Sequence, residues 1–187
     1  MRRSIPTLVC ATALFGALAG CSGSGDDKPS VATVKPFVTE KLVRPKSDAT
    51  PTAEQAAIQT FMEANRAEFN TRFEALTAEA TPADVKKAFA GYAEAMAKQE
   101  VAGCPLQFRA AFAQHLKDWK ALTAALGRLP NAYEGVEFMD MLQSLFQSGS
   151  DRGKPLGADV VNGVKAVTKS LADLHAAAER AGMELLK

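Results

Sequence analysis

With 187 residues, 47% of them apolar and 23% charged, the chain has room for one globular domain and shows no sign of wholesale disorder. The formal charge is +1, and losing Arg2 and Arg3 with a leader would leave 20 basic against 21 acidic residues, so nothing draws it to nucleic acid. With only two histidines, a transition-metal site of the usual composition is not expected. Abundant alanine and scarce β-branched runs favour helix throughout.

Arg2 and Arg3 stand ahead of an apolar run over residues 5–19, which closes on Leu18-Ala19-Gly20-Cys21 and is followed by a polar, glycine-rich segment. The run falls short of the ~20 apolar residues that a spanning helix needs and ends in small residues, as a cleaved leader does. Small residues and a cysteine in this order resemble the lipobox of bacterial lipoproteins, over about the first 25 residues. The resemblance implies a signal peptide over residues 1–20, diacylglycerol on the Cys21 thiol, and acylation of the new amino terminus, with palmitate an expected chain. It places the protein in the bacterial envelope, held to the membrane by its lipid. Ser22 resembles an outer-membrane address facing the periplasm, since Asp at that position retains members of this class in the inner membrane. Cys10 leaves with the leader and Cys21 carries lipid, so Cys104 remains as a lone thiol that is buried, reactive or paired with another chain.

Residues 21–50 read as the lipidated terminus and a flexible linker. Ser22-Gly23-Ser24-Gly25 is pliant, and Pro29, Pro36 and Pro45 interrupt every apolar cluster, which suits an extended leash with a mean reach of roughly 30 Å. Val31, Val34, Phe37, Val38, Leu42 and Val43 offer the competing possibility of a short strand or a segment docked on the domain.

Residues 51–187 are expected to form an all-α domain, an antiparallel bundle of four long helices plus one shorter helix. The first helix starts at Thr50-Pro51 and runs to about Ala80, with Ile58, Phe61, Met62, Phe69, Phe73 and Leu76 as its apolar stripe. Thr81 caps the second, whose stripe is Val85, Phe89, Tyr92 and Met96 and whose end is Gly103. Cys104-Pro105 opens the third, with Phe108, Phe112, Trp119, Leu122 and Leu126 aligned, closed by Gly127 and Pro130. A fourth begins at Asn131, with Glu134 completing a capping-box pair, and its apolar residues cover more than half the circumference. After a polar break at residues 148–153, the last helix runs from about Leu156 or Asp159 to Leu186, with Val160, Val164, Val167, Leu171, Leu174 and Ala178 on one face. No repeat of 20 to 50 residues points to a solenoid.

Chemistry, if present, belongs to the third helix. At 100° per residue, Cys104, Phe108, His115 and Trp119 share the apolar stripe, so His115 aims at the core. It reads either as a neutral imidazole hydrogen-bonded across the bundle, with Asn65 of the first helix as candidate partner, or as a ligand or acid–base group. Cys104 lies 11 positions earlier, roughly 16 Å along a helix, too far to share a metal ion or form a thiol–imidazole pair with His115. By itself, Cys104 is either a thiol activated by the helix start or a small apolar side chain packed in a corner.

Covalent haem attachment is not indicated, because Cys104-Pro105-Leu106-Gln107-Phe108 lacks the second cysteine and the histidine of C-x-x-C-H. Met62 and His175 would come to similar heights if the first and last helices were antiparallel neighbours, a placement similar to that in the cytochrome b562 family, which implies haem ligation by that pair. Phosphate loops, H-E-x-x-H and G-x-S-x-G are missing from the sequence. Two functions follow: a non-enzymatic, lipid-anchored module that binds an envelope protein or fills a structural role, and a small-ligand or haem carrier using Met62 and His175 or His115. The broad apolar face of the fourth helix is the expected contact surface of the former.

Overall fold

The computed structural model describes residues 41–47, 50–76, 79–149 and 151–186. The leader, Cys21 and the leash as far as residue 40 lie outside the described residues, as do Val31, Val34, Phe37 and Val38. Within them the elements are β1 (Val43–Pro45), α1 (Ala53–Phe73), α2 (Pro82–Met96), α3 (Leu106–Gly127), α4 (Gly135–Ser148), a 3-10 turn (Asp151–Leu156), α5 (Ala158–Arg180) and β2 (Met183–Leu185). The protein is an all-helical bundle with one small antiparallel ribbon. Three helices have 21, 22 and 23 residues and two have 14 and 15, in place of the expected four long and one short.

Helix starts follow local chemistry closely. Thr52, two residues later than Thr50, caps α1: its hydroxyl accepts from the Gln55 N–H, and the Gln55 side chain accepts from the Thr52 N–H. Thr81 and Asp84 form the same reciprocal box at α2. The hydroxyl and backbone N–H of Thr81 hold the Asp84 carboxyl below its usual range. The box expected from Asn131 does not form; Glu134 is the N-cap of α4 without a side-chain bond, because Asn131 accepts from Lys86 Nζ instead. That same ammonium donates to the Leu129 carbonyl at 2.6 Å, satisfying an orphan group just past α3.

Contacts fix the relative directions of the helices. Phe69 packs on Tyr92 and Phe73 on Phe89, so α1 and α2 run antiparallel. Lys86 reaches Leu129 while Tyr92 meets Trp119, which makes α2 and α3 antiparallel too. Arg128 pairs with Asp159, and His115 with Ser170, giving the same relation between α3 and α5. The interior is strongly aromatic: Phe61 lies edge-on to Phe108 and Phe112, and Trp119 is surrounded by Phe89, Tyr92 and Phe146. On α4, Phe138, Met139, Met141, Leu142 and Leu145 are all buried. The wide apolar face expected to meet a partner is therefore spent on the core.

The ends of the domain depart most from expectation. The last helix stops at Arg180, since Gly182 adopts φ +83° and turns the chain into β2. Residue pairs Val43↔Leu185, Arg44↔Glu184 and Pro45↔Met183 align, and Val43 and Met183 are buried. Lys46 N–H donates to the Gly182 carbonyl and Leu186 N–H to that of Leu42. Of the residues offered for a short strand, Val43 belongs to one, β1, so the folded domain includes residues assigned to the leash.

Gly182→Ala should cost about 1–2 kcal/mol, because a side chain disfavours positive φ and its Cβ would lie 2.8 Å from Gln55 Nε2. Equilibrium urea unfolding measures the difference, and an unchanged midpoint would contradict this account of the turn.

Candidate functional site

The α3 stripe delivers His115 to the centre of the bundle, where it is fully buried. One turn along the same helix, Trp119 Nε1–H donates to His115 Nε2 at 3.0 Å. Indole nitrogen can only donate, so His115 Nε2 must be the bare, accepting nitrogen. The proton of the neutral ring then sits on Nδ1, which donates to Ser170 Oγ at 2.9 Å. Ser170 passes its own hydrogen to the Val167 carbonyl at 3.1 Å. Donors and acceptors match along the whole chain, from indole through imidazole and hydroxyl to a backbone carbonyl.

Electrostatics agree with that assignment. Desolvation pushes the His115 pKa from 6.5 down to about 4, with His175 acting in the same direction and Asp118 opposing. His115 is neutral at physiological pH. A serine and a histidine 2.9 Å apart invite comparison with a nucleophile–base pair, but the polarity is reversed. Here the imidazole donates to the hydroxyl, the hydroxyl hydrogen is held by a carbonyl, and Ser170 is 2% exposed. The arrangement holds helices together and offers no route for a substrate.

The neutral, cross-bundle reading of His115 therefore fits the geometry, but with Ser170 and Trp119 as partners. Asn65 is completely buried on α1, and neither its Oδ1 nor its Nδ2 has a hydrogen-bond partner among the described residues. Two signals in the sequence pointed to the actual partners. Trp119 follows His115 by four residues, the helical neighbour spacing. Ser170 interrupts the apolar stripe of α5 at the step after Val167, where a polar side chain requires a partner.

Cys104 is 4% exposed and stands before Pro105, the N-cap of α3. Burial raises its thiol pKa, outweighing the opposing effect of Arg109. Helix-start activation of a thiolate, one of the two sequence readings, loses here to desolvation. Met62 is wholly enclosed in the core. His175 is half-buried on α5, its pKa lowered first by burial and then by Lys41, and its Nε2 has no hydrogen-bond partner among the described residues. No group of three or more His, Cys, Asp or Glu among the described residues could hold a metal ion.

A groove of about 580 Å³ lies between α1 and α2, lined by Ala64, Ala67, Gly91 and Ala95 with the charged Glu68, Arg72, Glu94 and Lys98. A smaller one, about 380 Å³, runs past Thr81, Tyr133 and Glu134 at the start of α4. Neither is lined by His115, His175, Met62 or Cys104. Comparison with protein-family models, with curated proteins and with solved structures finds no match.

A buried, protonated thiol should resist modification. In native protein, Cys104 is expected to react with an aromatic disulfide reagent at pH 8 about a hundredfold more slowly than in urea-unfolded protein. Equal rates would mean that the thiol is accessible and activated.

Proposed function

We propose that the protein is a lipid-anchored component of the bacterial envelope whose helical domain binds another envelope component or plays a structural role, without catalysing a reaction. The observation that carries the non-enzymatic half is the commitment of both His115 ring nitrogens inside the core. The best-placed candidate for acid–base chemistry is occupied in joining helices. The anchoring half rests on Leu18-Ala19-Gly20-Cys21, with Cys21 as the acylated residue and Ser22 favouring the outer membrane. Among the described residues no helix is long and apolar enough to cross a membrane, so attachment in this reading falls to the lipid. The contact surface for a partner is sought away from α4, whose Phe138, Met139, Met141, Leu142 and Leu145 are buried.

Cys21→Ser tests the anchor. The variant should accumulate as unprocessed precursor, lose palmitate labelling and leave the membrane fraction; unchanged maturation and fractionation would overturn the reading.

A small-ligand or haem carrier is the second reading, favoured by one observation, the buried His175 Nε2 with no partner among the described residues. Met62 is the second ligand in that scheme. The bundle as it stands encloses Met62 in side chains, and the two grooves avoid both residues. Purified protein mixed with equimolar haem should show no Soret band beyond that of free haem. A band that His175→Ala removes would replace the first reading with the second.

A further inference from the structure

We propose that His115 is an acid-operated latch on Trp119: a proton added to its Nε2 breaks the Trp119–His115 bond within α3 and loosens the aromatic layer in which Trp119 meets α2 and α4. The inference is independent of lipid anchoring and of any partner.

Geometry supplies the mechanism. Neutral His115 presents one acceptor and one donor, and its surroundings match each: Trp119 gives a hydrogen to Nε2, and Ser170 takes one from Nδ1. Protonation turns Nε2 into a donor and leaves two N–H groups facing each other across 3.0 Å. Indole cannot reverse its role, so the bond within α3 is lost, while Nδ1–H goes on donating to Ser170 and keeps α5 joined to α3. The imidazolium is also fully buried, with no ion pair to it among the described residues. The ring must separate from Trp119, or the helices must part enough to admit water.

The surrounding charges do little to prevent this. On its own helix, Asp118 favours the imidazolium; on α5, His175 opposes it. Lys169 and Asp173 on α5 pair with each other one turn apart, and Lys169 also feels Asp118. The other elements bring uncharged rings to the Trp119 layer: Tyr92 of α2, which also packs on Phe69 of α1, and Phe146 of α4. Desolvation therefore dominates, and the neutral form persists to about pH 4 in the folded protein.

The direction of the linkage follows. An unfolded histidine takes its proton near pH 6.5 and the folded His115 only near pH 4, so the unfolded state binds the extra proton between those values. The contribution of neutral His115 is complete above about pH 6.5, declines as the pH falls to about 4, and stays lost below. Across that window the folding equilibrium constant should fall about tenfold per pH unit on account of this residue, about 300-fold in all. The disturbance has a defined extent: it lies on the Trp119 side, among Phe89 and Tyr92 of α2 and Phe146 of α4, while the Ser170 bond to α5 is retained.

Trp119 is the chain's single tryptophan, so its emission and near-ultraviolet circular dichroism report on the latch directly. Full-length protein would be titrated from pH 7.5 to 3, together with His115→Gln, which has both donor and acceptor but does not titrate, and His175→Asn as control. Urea unfolding at each pH gives the stability difference between wild type and variant. The latch predicts a reversible Trp119 transition centred near pH 4 in wild type and in His175→Asn, absent in His115→Gln, with most far-ultraviolet signal retained. Should His115→Gln not fold, ring-nitrogen NMR of the wild-type histidines gives the answer alone. Coincident loss of the Nδ1–H tautomer and of the native Trp119 signal supports the latch. A Trp119 transition that survives in His115→Gln, or protonation of His115 with the Trp119 signal unmoved, overturns it.

Discussion

A line of three hydrogen bonds through the core sets the terms for the rest of the domain. Trp119, His115, Ser170 and the Val167 carbonyl are joined in sequence, each polar atom satisfied by the next. Apolar packing already resists a slide of α5 along α3, since a Cβ at Gly163 would lie 3.2 Å from the Leu122 Cα. The buried imidazole adds a penalty of its own. Displacing α5 by one turn would take Ser170 from Nδ1 and leave polar atoms uncompensated, at about 1–3 kcal/mol for each group. The join and the close approach at Gly163 together select one register for the helix pair.

Much of this was legible in the chain. Five helices, the Thr81 cap, the stop at Gly127 and the multi-sided burial of the fourth helix follow from three- and four-residue spacing and from capping chemistry. The ribbon was hard to read for a physical reason. Three-residue strands carry no periodic signal, and their pairing joins Arg44 to Glu184, 140 positions apart. Leu186 sat on a pattern that looked helical, and only the positive φ of Gly182 diverts it. Lys86 shows the same limit at smaller scale. Its claim on Asn131 is a tertiary contact, which no local capping rule could anticipate.

Position on a stripe takes His115 to the core but does not choose its partner. Asn65 and Ser170 were both polar residues on apolar faces, and spacing alone does not say which one arrives opposite the ring. The bundle brings Ser170 there. Asn65 keeps two polar atoms without a hydrogen-bond partner among the described residues, an arrangement that costs stability. For function the same point cuts deeper. The residue types that suggested chemistry, a histidine, a cysteine and a methionine, are all held by the interior, and the apolar face that suggested a partner is inside as well.

The two-stranded ribbon at the head of the domain decides how it bears tension. A pull arriving along the backbone ahead of Lys41 divides at β1: part continues covalently into α1, and part crosses sideways into β2 and so into α5. Because the strands are antiparallel and β2 is fixed at its Met183 end, a force along β1 loads the crossing bonds in shear, so that they yield together instead of peeling apart singly. Traction is thereby shared between two of the three longest helices of the bundle.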